Sequence, residues 1–186
     1  FPWFFRKTHD DLAFADLRNT DGITPLCLAI KHGHSGMVSI LLKNGANKTI
    51  DCPVEIHNAT KHMSPFHMAI FLGDVDSVQT FIQQDKTILT SKNEPKGWGA
   101  LHDQDSDGRT PYELAVHLGK HAIAEVFADA ANRRMFTAFD KGTLGQDIAF
   151  LKRAGANLAA LNAADKSLLH VAIANDKILE LESLII

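Results

Sequence analysis

The sequence is poor in the residues that carry most chemistry. Two of its 186 residues are cysteine, Cys27 and Cys52, and no C-x-x-C pair occurs. Two cysteines do not make a disulfide framework, and they read as free thiols in a reducing, cytoplasmic compartment. No stretch of about 20 apolar residues exists, which excludes a membrane-spanning helix. Basic residues are in the minority, 19 Lys and Arg against 22 Asp and Glu, for a net charge of −3. Basic runs stop at Arg6-Lys7 and Arg133-Arg134. A nucleic-acid partner normally requires a basic face, so none is expected. A glycine-rich phosphate loop and a G-x-S-x-G elbow are both missing. No enzyme activity, cofactor or small-molecule substrate is therefore expected.

Histidine is the exception to this scarcity, with 10 copies. His117 and His121 have the spacing of two ligands on one helix face, but Gly119 stands between them as a turn signal. His57 and His62 have no cysteine or carboxylate cluster beside them. Asp103, Asp105 and Asp107 lack the glutamate that closes a calcium loop, because its twelfth position is Leu114. They read as an acidic turn, and no metal is expected. Cys52 with His57 is the one nucleophile–base pair the sequence suggests, and only weakly.

What the sequence does have is repetition. Residues 19–47 run through Asp21-Gly22, Thr24-Pro25-Leu26, Ala29, Gly33-His34, Leu41-Leu42 and Gly45-Ala46-Asn47. A second copy has Ser64-Pro65-Phe66-His67, Ala69, Gly73 and Phe81-Ile82. A third has Asp107-Gly108, Thr110-Pro111, Ala115 and Gly119. A fourth is degenerate in its first helix but keeps Ile148, Leu151 and Gly155-Ala156-Asn157. A fifth has Ser167-Leu168-Leu169-His170 and Ala172.

Each mark has a physical reading. Thr24, Ser64 and Thr110 are helix N-caps, each followed by a proline where no amide donor is needed. The alanines let two helices approach closely. Gly33, Gly73 and Gly119 permit the left-handed conformation that ends a helix. Leu41-Leu42 and Phe81-Ile82 supply the apolar face of a second helix. One such pair cannot bury its own apolar face, but stacked neighbours can.

These segments resemble the ankyrin repeat over residues 19–186. The resemblance implies an all-α solenoid of about five stacked helix-turn-helix units, with residues 1–18 as an N-terminal helical cap or the end of an upstream region. Repeats of this kind recur at about 33 residues. Thr24, Ser64 and Thr110 are more widely spaced, which places insertion loops near 48–61 and 86–104. Asp85 and Ala130-Ala131 stand where Gly-Ala usually closes a repeat. Cys27 and Glu113 replace the usual histidine, whereas His67 and His170 keep it in a structural role. The second insertion, with Trp98 and Leu101, is expected to form a packed finger.

The resemblance also implies a job: binding a partner protein through a concave face of inner helices and fingertip turns. The inner-helix positions are Lys31, His32, Phe71, Leu72, His117 and Leu118. The fingertip positions include Ile23, Met63 and Arg109. The irregular repeats are similar to ankyrin modules of secreted bacterial effectors, which act in a host cytoplasm. An alternative is a targeting or substrate-recruiting module of a larger enzyme. The chain starts at Phe1, which reads as an internal or processed end, and stops on the apolar Leu184-Ile185-Ile186, so either the natural protein is expected to continue or its last helix is expected to pair with a further surface.

Overall fold

The computed structural model describes residues 14–56, 59–84, 105 and 107–177. It divides into two compact units, which meet between Gln84 and Asp85 in the sequence. The first unit contains α1 (Pro25–Lys31), α2 (Ser35–Lys43), β1 (Cys52–Ile56), β2 (Ala59–Met63), α3 (Pro65–Leu72) and α4 (Val75–Gln84). The second contains α5 (Pro111–His117), α6 (His121–Asp140), α7 (Leu144–Arg153) and α8 (Leu168–Ala174).

The expected N-caps form. The Thr24, Ser64 and Thr110 side chains accept hydrogen bonds from the amides of Cys27, His67 and Glu113, with proline at the first helical position each time. Helix ends repeat just as closely. The amides of His34, Asp74, Lys120, Thr143 and Lys177 donate to the carbonyls of Ala29, Ala69, Ala115, Ala138 and Ala172 at 2.8–3.0 Å. This one bond, made five times, defines five helix-turn signatures. Before the donor stands Gly33, Gly73, Gly119, Gly142 or Asp176, each with positive φ. The fifth turn thus uses an aspartate at φ 52° where the others use glycine. The five alanines are buried, so neighbouring helices close over them.

Each unit buries its own apolar cluster. In the first, Leu26, Ile30, Val38, Phe66, Ile70, Val78 and Phe81 are buried, with the Phe66 and Phe81 rings 5.3 Å apart. In the second, Met135, Phe139, Leu144, Leu151 and Leu168 form the centre. Four of these side chains are fully inaccessible, and truncating one to alanine costs about 2–5 kcal/mol.

Three expectations are corrected. The cysteines are not free thiols: Cys27 and Cys52 form a disulfide across 25 residues of sequence, with Cα atoms 5.6 Å apart. Both are fully buried. The free-thiol argument for a reducing compartment falls with them. The Cys52–His57 nucleophile falls too, because a disulfide sulfur is not a thiolate. The first insertion is an ordered antiparallel hairpin, in which Cys52 pairs with Met63 and Val54 with Lys61. Finally, Ala130-Ala131 closes nothing. The two residues lie inside α6, which runs unbroken for 20 residues and joins the second helix of repeat three to the first helix of repeat four. No glycine or proline occurs between His121 and Asp140 to stop it. The second insertion, with Trp98 and Leu101, and most of the N-terminal cap lie outside the described residues.

Candidate functional site

The turns that precede the inner helices are built from short polar side chains. Asn19 Oδ1 accepts from the amides of Asp21 and Ile23. Asp105 Oδ1 accepts from the amides of Asp107 and Arg109. Asn162 Oδ1 accepts from the amides of Ala164 and Lys166. Gly22, Gly108 and Asp165 then take positive φ at the same place in the turn. Such Asx turns hold a tip rigid without burying it. Before repeat two the hairpin takes the place of this turn, and β2 leads directly into the Ser64 cap.

The residues singled out from sequence separate into two groups. In the first unit, Lys31 and His32 end α1 and are exposed. Leu72 ends α3 and is 42% exposed, while Phe71 beside it is half-buried. Ile23 and Met63 are also half-buried. In the second unit, His117 ends α5 and is exposed, and Leu118 is half-buried. Arg109 is not a free fingertip cation: its guanidinium pairs with Asp105 at 2.7 Å and also with Asp107.

Sequence reasoning missed other surface groups. Leu28 on α1 is as exposed as Leu72, and Val116 on α5 is also exposed. His34 stacks on His32 with ring centroids 5.9 Å apart. The H-G-H spelling of residues 32–34 was the available signal for that pair. Leu169 and Ile173 are exposed on α8, although Leu26 and Ile30 at the matching positions of α1 are buried.

The third fingertip is tied to α7 by charge. Arg153 donates to both Glu113 oxygens, at 2.9 and 2.8 Å, and to the Gly108 carbonyl at 3.1 Å. Glu113 also accepts from the Thr110 amide, and Thr110 Oγ1 donates to the Arg153 carbonyl. The Arg153 bonds, more than any other influence, pull the Glu113 carboxyl down to about 2. At Asp105, burial works to raise the carboxyl, but the Arg109 bonds outweigh it and hold it below its ordinary value. Burial prevails at Asp147, which is raised despite the nearby Arg134 charge. These are supporting networks in half-exposed turns, not a reaction centre. Asp103 lies outside the described residues. Among those residues no group of three or more His, Cys, Asp and Glu could hold a metal ion. His117 closes α5 and His121 opens α6, so the pair does not share a helix face. His67 and His170 pair through Nδ1 with Ser64 and Ser167, the residues at the N-cap positions of their own helices. No helix among the described residues is long and apolar enough to cross a membrane.

A family model for ankyrin repeats, in three copies, matches residues 6–93. Two curated proteins are similar to the chain: Rabankyrin-5 of Mus musculus and Rabankyrin-5 of Homo sapiens. Each is 31% identical over 124 residues, which covers 60% of this chain and 11% of the relative. The chain thus spans about a tenth of the length of the relatives it matches.

Proposed function

We propose that this chain, an ankyrin-repeat protein, binds a partner protein through the ends of its inner helices and the turns that lead into them. Ankyrin repeats are protein–protein interaction modules, and the exposed groups of the first unit suit that use. The observation that carries the reading is Leu72. It is a large apolar side chain, 42% exposed at the end of α3, in a helix whose core positions Phe66, Ala69 and Ile70 are already filled. Leu28 and the exposed Lys31 and His32 lie on α1, the other inner helix of the same unit. An apolar anchor rimmed by polar groups is the usual composition of an interface centre. His117 and Leu118 offer a second, smaller set in the second unit.

The test compares wild-type chain with Leu72→Arg in quantitative affinity capture. A paired Lys43→Glu variant at the end of α2 serves as control, and circular dichroism establishes that all three are equally helical. The expected result is a protein recovered by wild type and by Lys43→Glu and reduced at least about tenfold by Leu72→Arg, as for loss of an interface anchor. Equal recovery by all three would remove this surface from the reading.

A second reading is favoured by the length relation. The chain matches about a tenth of each relative. It then serves as the recruiting segment of a longer protein, such as an enzyme or a secreted effector, whose chemistry lies in other residues.

A further inference from the structure

The first repeat is chemically unlike the rest of the chain. Residues 22–50 contain no aspartate or glutamate, although the whole chain has 22 in 186 residues. The same stretch has Lys31, Lys43 and Lys48, with His32 and His34. An acid-free stretch of this length on a chain of net charge −3 is a local inversion of sign. Three of its groups, Lys31, His32 and His34, are exposed at the end of α1 and the turn after it. Lys31 makes no ion pair among the described residues.

The hairpin adds to this patch. Opposed residues of an antiparallel pair point to the same side of the sheet, and successive residues alternate. Lys61 opposes Val54 and Met63 opposes Cys52, so Lys61 lies on the side that carries the buried disulfide. Glu55 opposes Thr60, whose hydroxyl it binds at 2.6 Å, and therefore points to the other side. Lys61 is exposed and makes no ion pair among the described residues. The disulfide sets the distance between the two lysines. Lys31 is one helical turn from Cys27, and Val54 is two strand residues from Cys52. Summing these steps bounds the Lys31–Lys61 backbone separation at roughly 25 Å, within the reach of a short extended peptide. The carboxylates nearest in sequence to these groups are Asp21, Asp51, Glu55 and Asp74; Glu55 accepts from the Thr60 hydroxyl, and Asp74 accepts from the amide and hydroxyl of Ser77.

We infer that the first unit recognises an acidic segment of its partner, with carboxylates on Lys31, Lys61 and the His32–His34 pair and an apolar side chain against Leu72. The inference rests on the partner-binding reading and supplies its chemistry. Complementary charge of this kind directs association and rejects basic partners.

The test uses fluorescence anisotropy with three labelled peptides of equal length. One alternates glutamate with leucine, the second replaces glutamate by glutamine, and the third replaces it by lysine. Intact oxidised chain is titrated at low and at physiological salt. The glutamate peptide is expected to bind at least about tenfold tighter than the glutamine peptide, with an advantage that shrinks as salt rises. Lys31→Glu/Lys61→Glu is expected to abolish that preference, while Lys43→Glu leaves it intact and both variants keep the wild-type melting point. Equal binding of the glutamate and glutamine peptides overturns the acidic assignment but leaves apolar partner binding standing. An equal loss in Lys43→Glu overturns it as well, because the attraction is then diffuse. Failure of all three peptides to bind also overturns it, and the Leu72→Arg capture experiment then decides the broader reading.

Discussion

The two units depart from a regular repeat in opposite directions. In the first, residues have been gained: Ala29 and Ala69 mark equivalent turns 40 positions apart, and the excess is folded into the β1–β2 hairpin. In the second, residues have been lost: Ala115 and Ala138 are 23 apart, and α6 absorbs the shortfall by serving two repeats at once. Each departure comes with its own fastening. The hairpin is held by a covalent bond from β1 to α1. The shortened pair is held by the Arg153–Glu113–Thr110 network and by close packing of Tyr112 on Gly155. An insertion gains a loop whose freedom must be limited, and a crosslink limits it. A deletion removes a turn, and helix continuity with side-chain bonding restores the register.

The contrast is broken most severely at the disulfide. Closing a loop of 25 residues is worth about 3.5 kcal/mol in the chain-entropy account. Cys27→Ser/Cys52→Ser is expected to lower the stability of the first unit by about that amount and leave the second unchanged. Hydrogen exchange read separately over α1–α4 and α5–α8 checks this. Loss of protection in both units to the same extent would show that the fastening is not local.

Gly155 is the corresponding weak point of the second unit. It has φ 95°, and an added Cβ would lie 2.6 Å from Tyr112 Cδ2 and Cε2. Gly155→Ala is expected to cost about 2 kcal/mol from backbone strain and overpacking together. Urea unfolding measures it, and a Tyr112→Ala background should return the packing share but not the backbone share. A cost unchanged by Tyr112→Ala would assign all of it to the backbone.

The smallest effect is electrostatic. Glu113 has its carboxyl lowered to about 2 from an ordinary 4.5. Its contribution is fully present above the unfolded value and is lost as pH falls through the folded one. The melting point of the second unit should therefore decline between about pH 4.5 and 2, and Glu113→Gln should flatten that part of the decline.

Much of this was written in the sequence, and the remainder was hidden for identifiable reasons. Thr24-Pro25, Ser64-Pro65 and Thr110-Pro111 announce their helices because cap and proline act locally. Gly33, Gly73 and Gly119 announce their turns for the same reason. The disulfide was hidden because Cys27 stands where the repeat usually has histidine and its partner lies in an insertion outside the repeat pattern. The Asn162–Lys166 turn was hidden because Asp165 takes the left-handed position that glycine marks at Gly22 and Gly108. The continuity of α6 was legible in principle, since 20 residues pass without a breaker, but the expectation of a closing Gly-Ala concealed it. At the candidate interface, the exposure of Leu72 followed from its place in the repeat. The pairing of Arg109 with two aspartates did not, because those bonds depend on the folded turn.

The Cys27–Cys52 bond also changes what the chain does under tension. A pulling force applied through the backbone passes across the two sulfurs and bypasses the residues between them. Those 25 steps, about 85 Å of extended chain, are withheld from the contour length for as long as the bond lasts. Helix α2 and most of α1 lie inside that loop, so a stretched chain can lose the first repeat's packing without lengthening through it. Cutting the same two sulfurs releases the stored length in a single step, so the first unit carries a fixed reserve of extension whose release depends on thiol chemistry and not on load.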